Sequence, residues 1–375
     1  MSKPVYIVAP VSSLSLRTRL LKLAKFVHGD LNRPISFHGW EREPGESEEK
    51  YLDFQIQSST VLKGAGYGGQ KVKIYYVFWM LKVFFLGLKL PARSTVWSLG
   101  FESAFPLVIA SLFKKHRVIF DDADRFSMLF KLPFGLTRVV QTLEKYCSHH
   151  CAVHVVPGRS RYQFQSTKFY ELKNLPSAFE ITESKSLDIK FQRDSNRLVI
   201  NVNGWLASHR GLEQALALAK KVESLPIDFL LVGKLQAEMT DAIEAQSNMT
   251  WVGQVSNSES LAYYQQSDLV LTYYDPAQEI NRHAESNKWG DALALGIGII
   301  VNEEVLTAHH LRDANVAISC PYHDVETLFE HVTELVKQPQ KLVELKQNAL
   351  AYYQQQGGYE EKVKGVFNTA EGATE

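Results

Sequence analysis

Short apolar runs rich in β-branched residues alternate with helical patterns along this chain, and that rhythm limits the possible fold more than any other feature. Val5 to Ala9, Pro34 to Trp40, Val96 to Leu99, Arg117 to Phe120 and Ala152 to Val156 read as strands. Helical spacing lies between most of them, as in Leu20, Leu21, Leu23, Ala24 and Val27. A second series follows with Leu198 to Val202, Phe229 to Val232, Thr250 to Val252, Leu269 to Tyr273, Ile297 to Val301 and Ala317 to Cys320. Strands that are apolar almost throughout belong to a parallel sheet covered on both faces, and alternation with helices builds such a sheet. The periodicity disappears from Asn174 to Asn196, where Pro176, Glu183, Ser184, Lys185, Ser186 and Ser195 gather. The expected fold class is α/β, with two Rossmann-like doubly wound domains facing across a cleft. The N-terminal domain takes residues 1–175, a linker 176–196 and the second domain 197–350, and a C-terminal helix and tail, 351–375, are expected to pack back on the first. A length of 375 residues suits two cores better than one. Glu41 to Gly69, charged and then glycine-rich, reads as a surface loop, and its glycines lack the flanking strand and helix of a dinucleotide fingerprint.

Composition removes several function classes. Lys and Arg total 41 and Asp and Glu total 41, so no net field recruits nucleic acid. The three cysteines, Cys147, Cys151 and Cys320, suit a reducing cytoplasm. The cluster Cys147-Ser148-His149-His150-Cys151 has no second ligand pair at a suitable spacing and is not read as a metal site. The opening Met1-Ser2-Lys3-Pro4 runs straight into a strand, without the apolar core of an export leader.

Three stretches carry candidate chemistry. In Glu285-Ser286-Asn287-Lys288-Trp289-Gly290-Asp291, Ser286 and Asn287 are N-cap residues, so the N–H groups of the next turn and Lys288 present a positive pole suited to a phosphate. Asp291, three residues after Lys288, lines the same groove. An ordinary packing helix with a Lys/Asp pair is the alternative. After the strand ending at Phe120 come Asp121, Asp122 and Asp124, at the carboxyl edge of a sheet where open α/β folds bind ligands, although loop acids and helix caps have the same look. Lys71 to Arg93 sets Lys73 and Lys82 among Trp79, Phe84 and other apolar residues. That composition fits a helix lying on an anionic membrane or, equally, a helix of the core.

The order of pieces in the second half is more specific than any one of them. Gly204 through Arg210-Gly211, then Leu231-Val232-Gly233, Val252-Gly253, Ser267 to Leu271, and Asn287-Lys288 with Asp291 ahead of Ala294-Leu295-Gly296, resembles the C-terminal half of GT-B glycosyltransferases of the family 4 type over most of residues 198 to 302. The N-terminal half resembles them only in its rhythm and in the acidic loop after Phe120. The resemblance implies a nucleotide-sugar donor with its diphosphate on Gly204, Arg210, Ser286, Asn287 and Lys288, and Glu285 beside them in the donor site. It places the ribose on Asp291 and the base near Trp251, Val252 and Gly253, with Gly233 also in the donor site. Arg210 and Lys288 would stabilise the leaving diphosphate without a metal or other cofactor, and Asp121, Asp122 or Asp124 would serve an acceptor hydroxyl. Where the family has a pair of Glu separated by seven residues, this chain has His283 and Asp291, with Glu279 and Glu285 beside the histidine. The implied activity is a retaining hexosyl transfer in surface polysaccharide synthesis. The acceptor would be a lipid-linked saccharide met on the cytoplasmic face of the cell membrane through Lys73, Trp79, Lys82 and Phe84, with no nucleic acid involved. The alternatives are a soluble acceptor and a catalytically inactive donor-binding scaffold.

Overall fold

The structure, a computed structural model, describes residues 2–46, 49, 52–129 and 135–372. The chain divides into two units: one runs to Leu172 and includes the stretch from Glu360 onward, and the other spans Lys173–Tyr359.

The first unit is built on seven parallel strands: β1 (Val5–Ala9), β2 (Ile35–Glu41), β3 (Gln57–Lys63), β4 (Thr95–Leu99), β5 (Arg117–Asp121), β6 (Val153–Val156) and β7 (Phe169–Glu171). They lie in the order β3-β2-β1-β4-β5-β6-β7, which reverses between β1 and β4. Val8, Val96, Val118 and Phe120 face a core shared with Trp40, Trp79 and the helix Phe101–Lys114. Strand β3 lies within the stretch expected to be a surface loop. It is an edge strand whose Gln57-Ser58-Ser59-Thr60 side chains are exposed while its backbone pairs with β2, so only Val61 and Leu62 carry an apolar signature. The helix Tyr359–Glu371 closes this unit. Val363, Val366 and Phe367 are buried, and Glu371 accepts hydrogen bonds from Arg33 at 2.8 Å and Thr95 at 2.6 Å.

The helix Gln70–Lys89 turns Val72, Trp79 and Val83 into this core. Trp79 is 0% exposed, stacks on Trp40 and donates its indole N–H to Ser103 at 3.1 Å. The expectation that Trp79 meets a membrane is therefore corrected: tryptophan takes the buried face, where its N–H has a partner. The outward face carries Ile74, Val77, Phe78, Leu81 and Phe85, each at least half exposed, at the spacing of one helical stripe. Lys73 and Lys82 are exposed, the latter donating to the Val61 carbonyl at 3.0 Å, and Phe84 is half-buried. No helix among the described residues is long and apolar enough to cross a membrane.

The second unit has six parallel strands: β8 (Leu198–Leu206), β9 (Ile227–Leu235), β10 (Met249–Trp251), β11 (Leu269–Thr272), β12 (Gly298–Asn302) and β13 (Ala317–Cys320). Their order is β10-β9-β8-β11-β12-β13, with the switch between β8 and β11. Successive residues feed opposite faces: Ile200, Val202, Leu231 and Leu271 one core, and Val270, Ile299 and Val301 another. The stretch 176–196 is not a free linker. Ser177-Ala178-Phe179-Glu180 forms a capping box that starts the helix Ala178–Ser184. That helix is tied to the helix Asn257–Gln265 through Asn257 to Glu180 at 2.7 Å and Gln265 to Ser184 at 2.7 Å.

Candidate functional site

In the second unit the candidate residues converge at the switch point between β8 and β11, where open α/β sheets bind ligands. Gly204 on β8 lies opposite Gly233 on β9, and a Cβ on Gly233 would stand 1.9 Å from the Gly204 carbonyl oxygen. Only glycine permits this approach, and Gly233 also has φ +136°. A Cβ on Gly204 would meet the Lys288 ammonium at 3.6 Å, so the bare backbone of β8 faces that cation.

Lys288 opens the helix Asn287–Ala294. Ser286 caps it, accepting from the Lys288 N–H at 3.3 Å and from the Tyr274 hydroxyl at 2.8 Å. The Trp289 indole donates to Thr272 at 2.9 Å and so pins the helix to β11. On the other side, the turn Ser208–Arg210 is held by Tyr322 on the Ser208 carbonyl and by the Asp275 N–H on the His209 carbonyl, both at 3.1 Å. Arg210 then leads into the helix Leu212–Lys221. Its guanidinium lies 4.9 Å from the Tyr274 ring centre, and the Lys288 ammonium 5.6 Å from it. Both cations are half-buried. Among the described residues neither is ion-paired to a carboxylate, and the Arg210 Nε is buried without a hydrogen-bond partner.

Tyr274 is 4% exposed. Burial alone would raise its pKa, but Lys288, the Ser286 hydrogen bond and Arg210 outweigh it and hold the phenol below the ordinary tyrosine value. The neighbouring Tyr264 is buried and its hydroxyl lacks a partner among the described residues; burial, Asp291 and Tyr274 push its pKa well up. Asp291 and Glu285 are half-buried and Asn287 is exposed. His283 faces Glu279 at 3.6 Å. The Val252 N–H is spent on the Leu231 carbonyl at 3.0 Å, and the Gly253 carbonyl on the Gly233 N–H at 2.7 Å.

The acids of the first unit are placed less openly than their position after Phe120 suggests. Asp121 is fully buried, holding the Arg19 Nε at 2.8 and 2.9 Å and the Trp97 indole at 3.0 Å. Asp122, also fully buried, accepts from Tyr162 at 2.6 Å and lies 3.6 Å from His154, which is 2.8 Å from the Ser148 hydroxyl. That serine, histidine and carboxylate are all sealed from solvent and form a packing network. β5 still lies under its covering layers at these residues, so Asp121 and Asp122 are closed to an acceptor and Asp124 is the exposed one of the three. A carboxylate that the sequence did not single out stands nearby. Glu102, buried in the first turn of Phe101–Lys114, has its pKa raised to about 7, chiefly by burial, with Asp122 and Asp124 adding and Arg42 opposing. Arg42 itself is buried over the Trp40 ring at 4.0 Å. Glu102 and Tyr274 share one sequence signal, a place just past the carboxyl end of a strand.

Among the described residues, no group of three or more His, Cys, Asp or Glu is placed to hold a metal. No family model matches the sequence, and no curated protein does. Solved structures do match. A sucrose-phosphate synthase from Thermosynechococcus elongatus superposes with TM-score 0.67 at 11% identity over all of both chains. HepE of Anabaena, in complex with UDP, gives 0.66 at 11% over 99% of this chain and 100% of that one. WaaG, a glycosyltransferase involved in lipopolysaccharide biosynthesis, gives 0.63 at 14% over 97% and 98%. Two parallel-sheet α/β units with these likenesses define the GT-B fold.

Proposed function

We propose that the chain is a nucleotide-sugar-dependent glycosyltransferase whose donor binds in the second unit. One observation carries the reading: two half-buried cations, Arg210 and Lys288, without carboxylate partners among the described residues, flank one buried phenol ahead of two helix N-termini. Leaving donors unsatisfied in this way costs free energy unless an anion completes them. The diphosphate of a donor matches both the charge and the helix-terminal N–H groups. As that diphosphate leaves it gains charge, which these groups stabilise without a metal. Asp291 takes the ribose, and the base lies near Trp251, Val252 and Gly253, against groups other than the Val252 N–H and Gly253 carbonyl already paired within the sheet. Glu285, with His283 and Glu279, is the set from which the contact to the sugar is drawn. The UDP bound to HepE and the UDP-2-fluoro glucose bound to a trehalose-6-phosphate protein of E. coli support a donor of this class.

The acceptor falls to the first unit, where Asp124 stands exposed past the end of β5. A lipid-linked saccharide is the acceptor we favour, with retention at the transferred sugar, in surface polysaccharide synthesis on the cytoplasmic side. The outward stripe of Gln70–Lys89 supports it: five exposed apolar side chains lie among Lys71, Lys73, Lys82 and Lys89 with no acidic residue in the helix, which suits an anionic leaflet. The test is a panel of radiolabelled nucleotide-sugars incubated with the protein and a membrane extract. Transfer to lipid supports the reading, transfer to soluble saccharide moves the acceptor, and donor binding with no turnover leaves a scaffold, which His283 in place of a family Glu would explain.

A further inference from the structure

We propose that Tyr274 is the positioning residue of the diphosphate seat, holding Arg210, Lys288 and the Ser286 cap in binding geometry before a donor arrives. This rests on the donor reading above and names the group on which donor affinity depends. Two like charges at half burial repel, and each would otherwise sample solvent and lose that freedom when an anion binds. The Tyr274 ring presents its negative face within reach of both. The hydroxyl donates to Ser286, whose oxygen also accepts from the Lys288 N–H, so one side chain governs both the head and the backbone of that lysine. Tyr274 is itself fixed. Its N–H donates to the Asn302 side chain at 2.9 Å, and the Asn302 amide donates back to the Tyr274 carbonyl at 3.1 Å. A ring clamped at its backbone, buried and bonded at its tip is a rigid platform on which two flexible cations are preorganised.

The arrangement also makes the phenol and the diphosphate rivals for the same two cations. The charged and titratable groups facing Tyr274 are Lys288, Arg210 and Tyr264, with Asp291 beyond Tyr264. An ionised Tyr274 satisfies the cations, so a diphosphate bound there must raise the proton affinity of the phenol. By reciprocity its own affinity must fall as the phenol ionises.

The experiment uses the full chain and calorimetry with UDP, or GDP or ADP if the wild type binds one of those instead. A wild type that binds none of the three sinks the donor reading itself. Given binding, Tyr274→Phe should weaken it roughly tenfold, as expected for losing one hydrogen bond to a charged network. It should also shrink the decline in affinity at alkaline pH that the wild type shows. Tyr274→Leu, which removes the ring as well, should bind more weakly still. In the wild type, the tyrosinate absorbance gained on raising the pH should be suppressed by the nucleotide, a reading that needs no variant to fold. Wild-type affinity and pH dependence in Tyr274→Phe, or a tyrosinate titration that the nucleotide leaves unchanged, would overturn the proposal.

Discussion

Replacing Glu102 with glutamine isolates the cost of a buried carboxylate. In the folded chain its pKa is raised from the ordinary 4.5 to about 7. The native state therefore keeps the proton over a range where the unfolded chain has lost it, and stability falls as pH rises from about 4.5 and levels off above about 7. At about 1.4 kcal/mol per pH unit the full difference is about 3 kcal/mol, of which about 2.5 kcal/mol falls between pH 5 and pH 8. Glutamine preserves the shape and cannot ionise, so Glu102→Gln should lack this decline. The assay is urea unfolding of both proteins at the two pH values, followed by tryptophan fluorescence, since Trp40, Trp79 and Trp97 report on this unit. With a slope of about 3 kcal/mol per molar urea, the wild-type midpoint should drop by about 1 M relative to the variant on going to pH 8. Midpoints that move in parallel would show that Glu102 ionises as it does in an unfolded chain, and the buried, acid-crowded environment assigned to it would be wrong.

Lys288→Ala and Arg210→Ala should each lower kcat/KM by the equivalent of about 2 to 4 kcal/mol, and near-normal turnover in either would remove that residue from the diphosphate. Asp291→Asn should act mainly on KM, because a ribose contact is made equally in ground and transition states. A collapse of kcat alone would move Asp291 to the reacting centre. Gly233→Ala, with its Cβ driven onto the Gly204 carbonyl at a φ that alanine avoids, should cost about 3 kcal/mol or more in thermal unfolding, and a variant with the parent Tm would refute the close approach. Serine at Ile74, Phe78, Leu81 and Phe85 should release from anionic vesicles the fraction that high salt leaves bound; flotation unchanged by these substitutions would end the membrane reading of that face.

The parallel sheets were legible because buried parallel strands announce themselves as apolar runs, and their alternation with helices leaves few topologies. What stayed hidden is what such runs cannot encode. β3 is an edge strand whose exposed Gln57-Ser58-Ser59-Thr60 reads as loop, although Leu62 reaches the core and the Ser59 hydroxyl meets His38 at 2.6 Å. The helix Ala178–Ser184 was written in its capping box, yet short length and charge masked it among loop-forming neighbours. On Gln70–Lys89 the sequence presents aromatic and basic residues together, and only packing separates the inward Trp79 from the outward Phe78 and Phe85. Gly204, Arg210 and Lys288 could be picked out as pieces in order. That they meet around Tyr274 depends on the neighbouring of β8 and β11, a fact of topology that no single stretch contains.

The first unit is completed by a helix that lies far along the chain. Arg33 and Thr95 wait for Glu371, and Phe26 and Trp97 for the ring of Phe367, while the whole of the second unit lies between. During synthesis the unit that emerges first is therefore the later one to be finished: its sheet can form early, but one wall of its core is still unmade when the second unit already has all its strands. An N-terminal fragment ending near Leu172 would expose that apolar wall and should be a client of chaperones rather than an independent domain.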